Sequence, residues 1–229
     1  MAAKLITALD LNTEKEAVAA IETAPDCQWF KVGLQIFTRC GPAFVQRLNN
    51  EFGKNVFLDL KLHDIPNTVT HAAKASVDLG AKLITVHACG GEAMIAAARK
   101  AVEGSETRVL AVTVLTSISD VVLRDEIGIH EPVSEAVRRY ARHAVEWGAH
   151  GLVASPHEIE TIREVVGDGP VIVTPGIRPA WASPGDQARF TTPREASDLG
   201  ADFIVVGRPI LEHSDPAAAV KAIQEELQG

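Results

Sequence analysis

Cysteine is scarce in this chain, and the three present do not suggest pairing. Cys27, Cys40 and Cys89 are odd in number and show no C-x-x-C spacing. That argues against a disulfide framework or a thiolate metal site and fits a reducing compartment, with each thiol read as buried and inert. Positive charge is also short. Lys and Arg total 22 against 30 Asp and Glu, a formal net charge of −8. Such a balance argues against nucleic acid or an anionic membrane surface as partner, while leaving room for a local basic pocket that holds a small phosphate ester. No apolar run reaches transmembrane length, and the apolar stretch within Met1–Asp10 is too short for a secretion signal. A soluble, cytoplasmic protein is expected. No low-complexity linker or composition break divides the sequence, so residues 1–229 are expected to form one domain.

What is present is one pattern, repeated. Short apolar strand candidates fall at Leu5–Leu9, Trp29–Val32, Val56–Leu60, Leu83–His87, Val109–Leu115, Gly151–Ala154, Val171–Thr174 and Phe203–Val206. Helical segments lie between them. Thr13-Glu14-Lys15-Glu16, Ser155-Pro156-His157-Glu158 and Thr192-Pro193-Arg194-Glu195 fit the capping box, and Asp215-Pro216 opens the last helix. Gly80, Gly148 and Gly200 each stand where a left-handed C-cap would end a helix before the next strand. Eight strands alternating with eight helices mean parallel β/α units, closed as a (β/α)8 TIM barrel or open as a doubly wound sheet. The count of eight favours the barrel. No G-x-G-x-x-G follows the first strand, which weighs against a dinucleotide-binding open sheet.

The densest chemistry lies in Asp59-Leu60-Lys61-Leu62-His63-Asp64-Ile65-Pro66-Asn67-Thr68-Val69. Side chains alternate along a strand, so Asp59 and Lys61 share a face. Two charges at the end of a buried strand cost several kcal/mol unless they are paired. Asp64 follows just past the strand end, which predicts an Asp–Lys–Asp cluster at a strand-to-helix junction. A purely structural ion-pair network is the alternative reading. In a barrel the chemistry sits at the C-terminal strand ends. Those ends carry Asp10, Lys31, Asp59 with Lys61, His87, Thr116-Ser117, Pro175-Gly176-Ile177-Arg178 and Gly207-Arg208-Pro209. Asp10, Lys31, Asp59 and Lys61 thus form a chain of alternating charge over three adjacent strand ends.

Barrels often bind phosphate with the loops after strands seven and eight. Here these supply Arg178, Gln187, Gly207 and Arg208. Glycine lets backbone N–H groups approach an anion, and arginine offers a planar fork. The segment from Pro179 to Gln187 reads as the longest loop after a strand, suited to binding; a surface excursion with Arg178 in a salt bridge is the other reading. Gly90-Gly91 is a weaker anion candidate and reads rather as a tight turn.

At these residues the chain resembles the orotidine 5′-phosphate decarboxylase family in its bacterial form. The signature is Asp59-x-Lys61-x-x-Asp64-Ile65-Pro66-Asn67-Thr68-Val69, supported by Ala8-Leu9-Asp10, Lys31-Val32-Gly33, Thr113-Val114-Leu115-Thr116-Ser117, Thr174-Pro175-Gly176-Ile177-Arg178, Gly185-Asp186-Gln187 and Val206-Gly207-Arg208-Pro209-Ile210. The resemblance implies conversion of orotidine 5′-monophosphate to UMP and CO2 without cofactor or metal. It implies that Lys61, beside Asp59 and Asp64, stabilises and protonates a C6 carbanion, and that Lys31 and Asp10 hold the network and the ribose hydroxyls. Pro175, Thr116 or Ser117, Arg178, Gln187, Gly207 and Arg208 would line the nucleotide site. It also implies a homodimer in which Asp64, Ile65 and Thr68 reach the neighbouring subunit's site.

Two other readings remain at this point. One is a magnesium-dependent sugar-phosphate decarboxylase or synthase of the same barrel group, which shares D-x-K-x-x-D; Ile65–Val69 and the Arg178-to-Gln187 loop argue against it. The other is a barrel that binds a nucleotide as regulator without turning it over, against which Lys61 and Asp59 speak. The eight histidines are scattered, with only His63 and His87 near the site. His87 reads as a hydrogen-bonded wall residue rather than a ligand.

Overall fold

The computed structural model describes residues 2–182 and 191–228. Gln187 therefore lies outside the described residues. Eight parallel strands close into a barrel in sequence order. They are β1 Lys4–Ala8, β2 Trp29–Gly33, β3 Asn55–Leu62, β4 Leu83–His87, β5 Arg108–Val112, β6 Gly151–Val153, β7 Val171–Thr174 and β8 Phe203–Val206. Helices α1 Glu14–Glu22, α2 Leu34–Asn50, α3 Pro66–Asp78, α4 Gly91–Ala101, α5 Val133–Glu146, α6 Ile159–Val166 and α7 Pro193–Asp198 follow the first seven strands in turn. Two helices, α8 Arg208–Leu211 and α9 Pro216–Gln228, follow β8 where the sequence pattern predicts one.

Strand alternation divides the apolar residues into two layers. Ile6, Ala8, Phe57, Leu83, Leu110, Val112, Val153, Val171, Val173, Phe203 and Val205 fill the barrel interior. The intervening positions, such as Leu5, Val32, Val56, Ile84 and Ile204, pack outward beneath the helices. At the N-terminal end Trp29 meets Phe203 edge-on, with ring centroids 4.9 Å apart. The interior is thus a packed core, and only its C-terminal end is open for chemistry.

The punctuation read from the sequence forms. Thr13 and Glu16, and Thr192 and Glu195, make reciprocal capping boxes. The Ser155 N–H donates to Glu158 at 3.0 Å, and the Ala218 N–H donates to Asp215 at 3.0 Å. Gly80, Gly148 and Gly200 all have left-handed φ. Gly90 and Gly91 make the turn into α4, as the tight-turn reading holds.

Three features depart from the pattern. Strand β5 ends at Val112, so Thr116 and Ser117 sit in the following connection, residues 113–132, rather than at the strand's last position. That connection also includes a π-helical turn at Val122–Glu126, while the loop expected from Pro179 to Gln187 runs beyond the described residues. Helix α2 is kinked at Gly41, whose φ is 68°, because Pro42 follows and removes a backbone donor.

One capping residue carries a pH signature. Half-buried Glu158 has its pKa pushed up to about 7, by burial first, with the Ser155 N–H pulling the other way. The folded state therefore holds a proton that the unfolded state releases near pH 4.5. Stability falls as pH rises between these two values, and the whole cost stands above the upper one. Glu158→Gln keeps an acceptor for Ser155 without the charge. It is expected to gain on the order of 1–2 kcal/mol over wild type at pH 8, after allowance for solvent screening, with the gain vanishing near pH 4. Thermal melts of both proteins across this range check it; a pH-independent difference would assign the effect to packing.

Candidate active site

The site grows from the inward face of β1, β2 and β3. In β2 the inward positions are Trp29, Lys31 and Gly33; Lys31 stands beside Ala8 of β1 and Phe57 of β3, and Gly33 beside Asp59. Lys31 Nζ lies 2.8 Å from Asp10 Oδ1 and 4.0 Å from Asp59 Oδ2. Lys61 Nζ lies 2.7 Å from the same Asp59 Oδ2. The predicted row of alternating charge, Asp10–Lys31–Asp59–Lys61, is therefore one connected network. Asp59 is its hub and is 8% exposed.

The route by which β3 delivers Lys61 is not plain alternation. Phe57 and Leu58 pair with Leu83 and Ile84, but the next pair is Leu62 with Val86. Strand β3 takes four steps where β4 takes two, so the intervening residues bulge. Within that bulge Lys61 has φ 51°, the only positive φ outside glycine among the described residues. For a long L side chain this conformation costs about 1–3 kcal/mol and persists only where the surroundings enforce it. The Lys61 N–H, deprived of a regular ladder partner, donates to the Thr85 hydroxyl at 2.8 Å. Thr85 in turn donates to Asp59 Oδ1 at 3.1 Å. Nothing in the local sequence marks Thr85, because its importance comes from the register shift of a neighbouring strand.

These residues open onto a cavity of about 570 Å³, a size suited to a nucleotide-like ligand. Its apolar floor is Ala8, Phe57, Val112, Val153 and Val205, and its rim includes Asp10, Lys31, Asp59, Lys61, Thr116, Pro175, Arg178, Gly207, Arg208 and Glu212. Four basic side chains thus face three acidic ones, on a chain whose formal charge is −8. Arg178 is buried, and its segment is anchored where the Arg178 N–H donates to the Thr191 carbonyl at 3.1 Å.

Not every predicted residue gathers here. Thr116 lines the cavity and Ser117 does not. Asp64, Ile65 and Thr68 are exposed and lie off the cavity wall. Asp64 Oδ1 accepts the Ile65 N–H at 2.7 Å, and the ammonium of Lys61 is on Asp59. The Asp–Lys–Asp cluster expected within one chain is therefore an Asp–Lys pair. The reason is directional: the chain turns outward after Leu62 to start α3. Glu212, absent from the sequence reading, lies on the rim because the short α8 carries the chain back over the barrel mouth. His87 lies near His63, the rings tilted with centroids 5.6 Å apart, and is held below the ordinary histidine range by burial first, then by His63 and Lys61. It is not part of the cavity wall. Among the described residues, no three His, Cys, Asp or Glu side chains form a set able to hold a metal ion.

A family model for the orotidine 5'-phosphate decarboxylase / HUMPS family matches residues 3–223. The chain belongs to this family. It is 52% identical over 225 residues to a protein of Anaeromyxobacter sp. (strain K) named orotidine 5'-phosphate decarboxylase, with 98% of each chain covered. A protein of the same name from Heliobacterium modesticaldum is 48% identical over 232 residues, covering 98% of this chain and 95% of that one. Among solved structures, orotidine 5'-phosphate decarboxylase from Lactobacillus acidophilus superposes with a TM-score of 0.89 at 41% identity, covering 99% of this chain and 100% of that one. The bacterial resemblance read from Asp59–Val69 is thus matched along nearly the whole chain.

Gly33 offers a direct test of the network. A Cβ there would stand 2.8 Å from Lys31 Nζ and 3.4 Å from Asp10 Oδ1. The lysine tip can yield without unfolding the barrel, but only by leaving its place. Gly33→Ala is expected to fold normally and to lose on the order of tenfold to a hundredfold in kcat. Steady-state kinetics beside a melting curve check this, and unchanged kinetics would mean that the position of Lys31 is not critical.

Proposed function

We propose that this chain decarboxylates orotidine 5′-monophosphate to UMP and CO2 in pyrimidine biosynthesis. The observation that carries the reading is the Lys61–Asp59 pair, 2.7 Å apart, in a cavity that Arg178 and Arg208 also line. The reaction breaks the bond between C6 and its carboxylate. CO2 leaves, and the electron pair stays on C6 as an sp² carbanion with no conjugated sink. Stabilisation must then come from preorganised charge. Lys61 supplies it: an ammonium about 4 Å from the carbanion, at an effective dielectric near 20, contributes on the order of 4 kcal/mol. Lys61 then gives its proton to C6, and solvent restores it. Asp59, already holding Lys61 and near Lys31, faces the departing carboxylate. Asp10 and Lys31 bind the ribose hydroxyls, and Thr116 and Pro175 border the base. Arg178, Gln187, Gly207 and Arg208 take the phosphate, at the barrel's usual phosphate position.

No cofactor or metal enters this scheme; its charges are supplied by lysine and arginine. A magnesium-dependent sister activity within the broader family is the competing reading. The names of the relatives near 50% identity favour the decarboxylase. Purified protein is expected to form UMP from orotidine 5′-monophosphate undiminished in EDTA. Lys61→Ala is expected to cut kcat on the order of a thousandfold while UMP still binds. Activity lost to EDTA and restored by magnesium would support the sister enzyme, and near-normal kcat in the variant would remove Lys61 from the mechanism.

The active form proposed is a cytoplasmic homodimer with Asp64, Ile65 and Thr68 completing the partner's site. Among the described residues no helix is long and apolar enough to cross a membrane. Leu34 at the start of α2, and Ile65, Val121 and Ile127 in the connections after β3 and β5, are large apolar side chains left 49–65% exposed, as a buried interface would require. Lys61→Ala and Asp64→Ala homodimers are each defective at both sites. Mixed dimers place both lesions in one site and leave the other intact. Random exchange makes about half the dimers mixed and restores roughly a quarter of all sites under twofold symmetry. Recovery of activity on mixing is expected; exchange proven by mass with no recovery would place Asp64 in its own subunit's chemistry.

A further inference from the structure

We infer that Thr85 is a positioning residue for the reaction, the hydroxyl that holds Lys61 and Asp59 in register with each other. This rests on the assignment of Lys61 and Asp59 to the chemistry, which Lys61→Ala tests independently.

Four observations converge on the Thr85 side chain. It points into the barrel on β4, between Ile84 and Val86, the two residues that bracket the bulge in β3. It is 1% exposed. Its oxygen accepts the Lys61 N–H at 2.8 Å, the donor that the bulge takes out of the ladder. Its own proton goes to Asp59 Oδ1 at 3.1 Å. A hydroxyl accepts and donates through a single atom. Thr85 therefore stands in for a missing strand–strand hydrogen bond and, with the same atom, fixes the carboxylate on which the Lys61 ammonium rests at 2.7 Å.

The consequence is directional. The donation from Thr85 occupies Oδ1 of Asp59 and leaves Oδ2 for Lys61, which it meets at 2.7 Å, and Lys31, at 4.0 Å. Acceptance from the Lys61 backbone holds a residue at φ 51° that would otherwise relax to an ordinary extended conformation and swing its side chain. Without the hydroxyl, both partners keep their chemistry and lose their relative placement. Thr85 is not part of the cavity wall, so its loss falls on the chemical step and not on substrate contact.

The test uses the whole protein with Thr85→Val, of the same shape without the hydroxyl, and Thr85→Ser, which keeps the hydroxyl and drops the methyl. Thr85→Val is expected to lose on the order of a hundredfold in kcat, as for an ångström-scale misplacement, with KM and UMP affinity within about twofold of wild type. Thr85→Ser is expected to recover most of that kcat. If Thr85→Val does not fold, Thr85→Ala, which adds no methyl next to the Lys61 N–H, gives the same reading against Thr85→Ser. The proposal is overturned if a folded hydroxyl-less variant keeps near-normal kcat. It is equally overturned if serine and the hydroxyl-less variant lose alike, or if the loss appears in KM alone. Should Lys61→Ala retain activity, the failure lies in the chemical assignment and not in Thr85.

Discussion

The site depends on one buried carboxylate being shared by two ammonium groups. Asp59 is nearly inaccessible, and its Oδ2 faces Lys61 at 2.7 Å and Lys31 at 4.0 Å. Isolated in the barrel mouth, that charge would lack compensation; removing one partner of such a buried pair costs about 3–5 kcal/mol. The network therefore cannot be dismantled piecemeal. Each charge makes its neighbour tolerable, and the chain of four ends at Asp10, half exposed to solvent. Stability and chemistry use the same contacts here: the groups that pair with Asp59 are the groups proposed to meet the substrate.

A regular strand would put Asp59 and Lys61 on one face but would also pair both backbones with β4. The bulge separates these demands. It releases residues 59–61 from the ladder with β4, turns Lys61 into the left-handed region and hands its N–H to a side chain. Local strain is thus concentrated on the residue assigned the proton. Strain at a functional group is tolerated where the surrounding structure over-determines it, and eight closed strands with a packed interior provide that frame.

Much of this was legible because it is local. Capping at Thr13, Thr192 and Asp215 follows from side-chain chemistry within one turn, and the C-terminal glycines from backbone sterics. Eight apolar strands with these separators leave few topologies, and Lys31 and Asp59 are placed by strand ends alone. What stayed hidden is non-local. Thr85 acquires its role from a register shift 24 residues away in sequence. The requirement for Gly33 to lack a side chain appears only when Lys31 and Asp10 meet in front of it. The early end of β5 also escaped, because Val114 is buried like a strand residue while lying beyond the last paired one. Asp64 is the converse case: adjacency in sequence suggests one cluster, yet within one chain the Lys61 ammonium rests on Asp59 alone of the two.

The charge distribution joins these points to the choice of substrate. The protein as a whole repels anions, at −8, while the cavity wall carries four basic against three acidic side chains. A neutral substrate would gain nothing from that local reversal. A phosphate ester that also carries a carboxylate needs it, and needs it in two places. In the proposed reaction phosphate sits with Arg178 and Arg208, where a permanent cation can hold it throughout. The same proposal assigns the carboxylate to the place beside Asp59, where one charge must leave. Focusing of field lines by the low-dielectric barrel wall makes the difference larger inside than the formal count suggests. Binding energy gathered at the phosphate end can then offset the repulsion at the other, so that attraction grows only as CO2 departs and charge develops at C6 beside Lys61. On the proposed mechanism, the division of charge between the two ends of one cavity lets a lysine ammonium stand in for the conjugated sink that C6 lacks.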